Sequence, residues 1–300
     1  MKHWKAIGTF ACVMILLGFS VYALLDALAI SRVYAVVETE SAAQTEAARA
    51  QTLSCRRMAE DTAEDTAEDT AETAEIRIDT YRVHDTTVYV ADIRLGASQS
   101  LQTAFSASSY GRHVTAATSE TAEAVGAVLA INGDNYGAQE KGYVIRNGVL
   151  YRDTAAKGRE DLVIWADGSF TIICEDEITA QELLEQGAVQ VFSFGPGLLE
   201  DGEITVGVSD EVGRAKASNP RTAIGILEEG HYVLVVSDGR SEESEGLSLY
   251  ELAEFLQGLG VQTAYNLDGG GSSTMVYQGE LVNQPSGGKE RAVTDIIYIV

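Results

Sequence analysis

The sequence predicts an α+β domain, with a mixed, largely antiparallel sheet and a few covering helices, preceded by one N-terminal transmembrane helix. Three observations carry this. Short apolar runs are separated by two-residue turns, as in VIRNGVLY (144–151) and VIWADGSFTII (163–173). Three segments with helix-start or helix-stop signals each lead into an apolar strand. A long stretch near the N-terminus carries no charge.

In chain order, MKHWK (1–5) is basic, and AIGTFACVMILLGFSVYALL (6–25) is uncharged. About 20 apolar residues match a hydrocarbon core of about 30 Å. The run exceeds the roughly 7–15 apolar residues of a cleaved signal peptide. An uncleaved signal anchor over residues 6–30 is expected. Lys2 and Lys5 outweigh the single early Arg32. That bias makes residues 1–5 a cytoplasmic tail and sets the chain in the cell membrane as a single-pass protein with its domain extracellular. Residues 31–75 are rich in Ala and Glu and end in a repeated AEDT. The repeat has no large apolar residue to bury, and its like charges extend it. It reads as a stalk holding the domain, residues 76–300, off the membrane.

Within 76–300, further hairpins are predicted in LLEDGEI (198–204) and AIGILEEGHYVLVVSDGR (223–240). One helix is expected over 119–126. A second runs from Thr179 to Gly187, where TAQE is a capping box. A third starts at Ser248, where SLYE is another, and ends by Gly258 or Gly260. Leu249, Leu252, Ala253, Leu256 and Leu259 give that helix one apolar face.

Composition narrows the chemistry. The net charge of -24 opposes nucleic acid as a partner. Cys12, Cys55 and Cys174 form neither a CxxC nor a zinc spacing, and an odd count gives no disulfide framework. The four histidines are isolated, and neither GxSxG nor HExxH occurs. Acid–base work therefore falls to carboxylates, which suits glycosidic chemistry. Polar clusters close or open several strands. NLDGGGSST (266–274) is the densest. Asp268 offers a carboxylate, and Gly269, Gly270 and Gly271 let the backbone approach a ligand. Successive N–H groups can form an anion nest, with Ser272, Ser273 and Thr274 as further donors. It is neither a P-loop nor GxGxxG. Asn132 and Asp134 in INGDNYG read as a turn or as site residues. Arg221 in NPRTAIG can fork onto phosphate or carboxylate, or form a surface ion pair. Asp238 and Arg240 in VSDGR read as a turn or a site.

ATSETAEAVGAVLAINGDNYG (117–137), FSFGPGLLEDGE (192–203), NPRTAIGI (219–226), LVVSDGR (234–240), the run from Gly246 to Asn283 containing NLDGGGSSTM, and PSGGKERAV (285–293) are collinear. Together they resemble the phosphodiester glycosidase domain over about residues 115–300. The resemblance implies a hydrolase that cleaves the glycosidic bond of a sugar-1-phosphodiester, in a cell-wall or exopolysaccharide glycan for an anchored protein. It implies a pocket of Asn132, Asp134, Arg221, Asp238, Asp268, Gly269, Gly270, Gly271, Ser272 and Ser273. Asp268 and Asp134 are then the catalytic candidates, and Asn266 and Arg291 join the substrate-binding set. Asn135 and Tyr136 depart from the family's pattern. The reading requires no cofactor, with calcium or magnesium on Asp134 and Asp268 as an open alternative. A non-catalytic module or envelope scaffold for phosphate-containing wall polymer is the rival function.

Overall fold

A computed structural model describes residues 14–15, 17–18, 20–22, 32–36, 74–96, 98–210 and 218–300. The cytoplasmic tail, most of the anchor and the AEDT repeat lie outside the described residues. Of the anchor, Met14, Ile15, Leu17, Gly18, Ser20, Val21 and Tyr22 are helical and exposed. Among the described residues no helix is long and apolar enough to cross a membrane.

Every strand pairing among the described residues is antiparallel. A seven-stranded sheet has the order Glu203–Ile204, Gly197–Glu200, Thr263–Asn266, Arg221–Glu228, His231–Ser237, Thr86–Arg94, Glu75–Val83. One five-stranded sheet has the order Glu280–Leu281, Met275–Tyr277, Leu129–Asn132, Asp295–Ile299, Gln102–Phe105. The other runs Phe170–Cys174, Glu160–Trp165, Ala188–Phe192, Val144–Arg146, Val149–Arg152. Ile93, Ile131, Leu162, Phe192, Ile224 and Ile297 from all three meet in one buried cluster. The predicted hairpins form at Asn147-Gly148, Asp167-Gly168, Asp201-Gly202 and Glu229-Gly230.

The helices follow their caps. Thr118–Val125 stops at Gly126, which adopts the left-handed conformation. Ala180–Glu185 and Leu249–Gly258 start from Thr179 and Ser248, each closing its capping box with the glutamate three residues on. Leu249, Leu252, Ala253 and Leu256 pack on Val233, Val235 and Ala264 of the seven-stranded sheet. Each buried leucine contributes about 1.5–3 kcal/mol.

Register gathers the polar strand ends. Ala223 pairs with Asn266, and Arg221 with Ser237. The segments before Arg221, after Ser237 and after Asn266 therefore share one edge of the large sheet. In the neighbouring sheet Asn132 pairs with Ile296 and Ile131 with Met275, so the segments at 133, 274 and 294 share an edge as well. The two edges meet where the Asn132 Nδ2 donates to the Asp268 carbonyl at 2.6 Å.

A buried ion triad locks this junction. Arg146 is 2% exposed, and Asp134 and Asp295 have no exposed surface. Arg146 Nη2 lies 2.9 Å from Asp134 Oδ1 and 2.8 Å from Asp295 Oδ2, and Nε donates to the same Asp295 oxygen at 3.0 Å. Nη1 donates to the Ile145 and Val191 carbonyls, and the guanidinium sits 4.3 Å from the Phe192 ring centroid. Gly133 is required beside it, because a Cβ there would lie 2.7 Å from Asp295 Oδ2. The Asp295 carboxyl is raised to about 7, by burial first and by Asp134 beside it, with Arg146 pulling the other way.

Arg146→Met strands two buried carboxylates and should cost about 3–5 kcal/mol of stability, read from denaturant unfolding. A loss under ~1 kcal/mol would mean that the triad does not bind the sheets together. The raised Asp295 sets a sign for pH. Between about 4 and 7 the folded chain holds a proton that the unfolded chain has released. This group therefore lowers stability as pH rises through that window, by at most about 1.4 kcal/mol per unit, and is level above it. Asp295→Asn should flatten that part of the unfolding free-energy profile; an unchanged slope would contradict the assignment.

Candidate active site

The strand Thr263–Asn266 carries the chain to Asp268, after which Gly270–Ser272 makes one tight turn. Each glycine meets a different neighbour. A Cβ on Gly269 would fall 2.8 Å from the Pro220 carbonyl oxygen. Gly270 has φ 63°, donates to that same oxygen at 2.8 Å, and faces the Arg240 guanidinium, whose Nη2 would lie 3.0 Å from a Cβ. Gly271 faces Arg291, whose Nε would lie 3.7 Å from a Cβ. The turn thus runs between two guanidiniums.

Asp268 sits at its base. Its Oδ2 accepts from Ser272 Oγ at 2.5 Å and from Arg291 Nη2 at 2.9 Å. Arg291 also donates from Nε to Ser272 Oγ at 2.8 Å. The Arg291 side chain is 51% exposed and that of Asp268 10%, so the carboxylate lies just beneath an open guanidinium. Burial raises the Asp268 carboxyl above the usual range, while Arg291 and Ser272 pull it down.

Asn132 and Asn266 brace the turn from below. Asn132 Oδ1 accepts from Thr222 Oγ1 at 2.9 Å and from the Thr274 N–H at 3.2 Å. Asn266 Nδ2 donates to the Gly195 carbonyl at 2.8 Å. Asn266 Oδ1, Ser273 Oγ and Thr274 Oγ1 are buried without a hydrogen-bond partner, an unspent polar capacity close to Asp268 in the chain. Among the described residues no three His, Cys, Asp or Glu side chains cluster as metal ligands.

Asp238 lines an adjoining groove of about 410 Å³ with Thr87, Tyr89, Arg240, Asn283 and Gln284. It accepts from Tyr89 Oη at 3.2 Å and from the Gln284 N–H at 2.9 Å. Burial raises its carboxyl, and burial with Asp238 alongside pushes the Tyr89 phenol up to about 12. Asn283 ties the groove to the turn, donating from Nδ2 to the Ser273 carbonyl at 3.0 Å.

Two sequence expectations land elsewhere. Asp134 is sealed: besides Arg146, it accepts from the Tyr136 N–H at 3.1 Å and the Ser193 N–H at 2.8 Å, and no part of it meets solvent. A carboxylate so enclosed has no open face to offer a sugar. Arg221 is 4% exposed, and its Nε donates to the Leu247 carbonyl at 2.7 Å. That bond ties it to the strand edge. The guanidinium facing the turn there is Arg240, which the sequence leaves open between a turn and a site. Its signal was modest: an Arg directly after an Asp-Gly at the end of a buried strand. Arg240 has φ 62° and donates to Asn219 Oδ1 from Nε at 3.1 Å and Nη2 at 2.7 Å. Tyr136 turns inward and stacks on Tyr110, with ring centroids 5.2 Å apart.

The phosphodiester glycosidase family model matches residues 125–300. The SPbeta prophage-derived uncharacterized protein YomE of Bacillus subtilis is 34% identical over 177 residues, 57% of this chain and 28% of that protein. The mouse N-acetylglucosamine-1-phosphodiester alpha-N-acetylglucosaminidase is 31% identical over 188 residues, 57% of this chain and 36% of that protein. The chain thus spans about a third of these relatives' length. In structure, the zebrafish N-acetylglucosamine-1-phosphodiester alpha-N-acetylglucosaminidase catalytic domain, auto-inhibited by its pro-peptide, superposes with a TM-score of 0.60 at 24% identity. That match covers 79% of this chain and 86% of that one. It shows a shared fold.

Proposed function

The chain belongs to the phosphodiester glycosidase family, and on that premise we propose that it is a hydrolase cleaving the glycosidic bond of a sugar-1-phosphodiester. The single observation that carries the reading is the Asp268 carboxylate held by Ser272 and Arg291 at the base of a triglycine turn between two guanidiniums. A chain with 45 acidic and 21 basic residues concentrates positive charge there, which favours an anion at that place.

The phosphate seats over Gly270 and Gly271, between Arg240 and Arg291. The glycines keep side chains out of its way, and forked guanidinium bonds suit its oxygens. An incoming phosphate competes with Asp268 for Arg291, loosening the ion pair that occupies the carboxylate in the free protein. The sugar lies toward the groove of Tyr89 and Asp238, with its anomeric carbon over Asp268. The bond that breaks joins that carbon to the phosphate oxygen, and the electron pair leaves on the phosphomonoester. That leaving group is a stable anion, so it needs little protonation. Asp268 either attacks the anomeric carbon as the phosphate leaves, giving a glycosyl ester that water then hydrolyses, or takes a proton from the attacking water; its raised carboxyl suits the second task. Asp134 and Arg221 take positioning roles in this scheme. No cofactor is needed for it.

The reading places the domain outside the cell, held by residues 6–30 in the membrane, and acting on a phosphodiester-linked wall or exopolysaccharide glycan. The charge-free run at 6–25 and the exposed Met14, Ile15, Leu17, Val21 and Tyr22 support an apolar surrounding for that segment.

Asp268→Asn should lower kcat/KM for a sugar-1-phosphodiester by roughly 10²–10⁴-fold while leaving the unfolding midpoint near wild type. Activity equal to wild type would refute the assignment. Arg240→Met and Arg291→Met should each raise KM about 10- to 100-fold, the worth of a charge-assisted hydrogen bond. Gly270→Ala should mimic Arg240→Met, since its methyl displaces that guanidinium and strains a left-handed residue; a KM equal to wild type for Gly270→Ala would separate the turn from the phosphate seat.

A further inference from the structure

The segment Arg32–Val36 falls in the stretch assigned to the stalk, yet it is a strand with a partner. It pairs antiparallel with Ser109–Arg112: Arg32 with Arg112, Val33 with Gly111, Ala35 with Tyr110 and Val36 with Ser109. Tyr34 bulges out of the ladder and sets its ring 5.8 Å from that of Tyr110. Ala35 packs against the cluster of Phe105, Tyr110, Tyr136 and Val144. These two strands form a sheet of their own, so the segment supplies the main-chain partner that Ser109–Arg112 has among the described residues.

Gly111 shows that the edge is built for it. A Cβ at Gly111 would run into the Arg32 carbonyl oxygen and lie 2.8 Å from Val33 Cα. The three nearest atoms all belong to residues 32 and 33, and φ at Gly111 is not in the left-handed region. The absent side chain is therefore explained by the docked strand and not by the turn or core around it.

Connectivity gives the docking a consequence. Residues 26–31 separate the charge-free run from the strand, and six residues reach at most about 22 Å. The acidic tract lies in 37–73, and both ends of that stretch, at Val36 and Ala74, lie on the domain. Its length therefore cannot set the distance between domain and anchor. The outward residues of the strand are apolar, with Val33 54%, Tyr34 60% and Val36 74% exposed. An exposed apolar edge is a liability in water, whereas a Tyr beside aliphatics suits a bilayer interface.

We propose that Arg32–Val36 is a docking strand that seats the domain directly on the bilayer, so that the acidic tract does not act as the spacer between them. This rests on the membrane-anchor reading above and is independent of the chemistry at Asp268.

The test uses the full-length chain in phosphatidylcholine vesicles, with Cys12, Cys55 and Cys174 replaced by Ser. A donor dye on Val149→Cys reports transfer to a headgroup acceptor. Deleting residues 59–71 should leave transfer unchanged, and Gly111→Val should lower it severalfold by expelling the strand. Higher transfer on deletion, or unchanged transfer in Gly111→Val, overturns the proposal. In parallel, Val36→Cys with Ser109→Cys should cross-link under mild oxidation, and Gly111→Val should abolish the cross-link. A chain that cross-links but stays off vesicles fails through the anchor reading. One that binds vesicles without cross-linking fails through the docking strand.

Discussion

The Arg146 guanidinium, closed off from water between Asp134 and Asp295, is the interaction on which the site depends. A buried cation is tolerated only when its donors are satisfied and its charge is matched. Arg146 meets both demands by drawing on two carboxylates, two carbonyls and the Phe192 face. Those groups belong to strands of two sheets and to the turn after Asn132. The triad thereby fixes Gly133 and Asp134, and the Asn132 amide just before them holds the Asp268 carbonyl. The position of Asp268 is set by a charge balance that lies beneath it. Burial in this dry junction is the main reason Asp295 holds its proton so far up the pH scale; Asp134 adds to it and Arg146 opposes it.

Antiparallel register does the rest. Strand starts and ends coincide at one edge of each sheet, so loops distant in sequence arrive together without any long excursion. At that meeting place the backbone is stripped of side chains for three residues and two guanidiniums close in from either side. Glycine is costly in a folded chain; here Gly269 clears the Pro220 carbonyl and Gly270 the Arg240 guanidinium, while Gly271 lies at ordinary contact distance from Arg291.

Turns and caps were legible because their chemistry is local. Asn147-Gly148 and Asp167-Gly168 name their hairpins, and Thr179 and Ser248 name their helix starts three residues from the glutamates that complete them. Asp268 and its glycines were legible for the same reason, as was Arg291 through the stretch that carries it. Arg146 was not. In VIRNGV it looks like a solvated residue beside a turn, and its partner Asp295 is 149 residues away. Arg221 and Arg240 both stand at strand ends, and only the register and the Leu247 carbonyl decide which one turns inward. Asp134 carries the same chemistry as Asp268, and their partners separate them: Arg146 and two backbone N–H groups enclose the first, while the half-exposed Arg291 holds the second. RVYAV at 32–36 looked like the start of a stalk because its partner strand lies more than seventy residues on, with Gly111 as the single local trace of the contact.

In the proposed reaction phosphate is the leaving group and the sugar the electrophile, which sets this chemistry apart from that of a phosphodiesterase working with the same anion seat. Hydrolysis of a sugar-1-phosphodiester by the full chain in ¹⁸O-labelled water, followed by mass spectrometry of both products, tests this most directly. Cleavage between the anomeric carbon and oxygen predicts the label in the sugar hydroxyl and none in the phosphomonoester. Label in the phosphate would mean attack at phosphorus and would contradict the account.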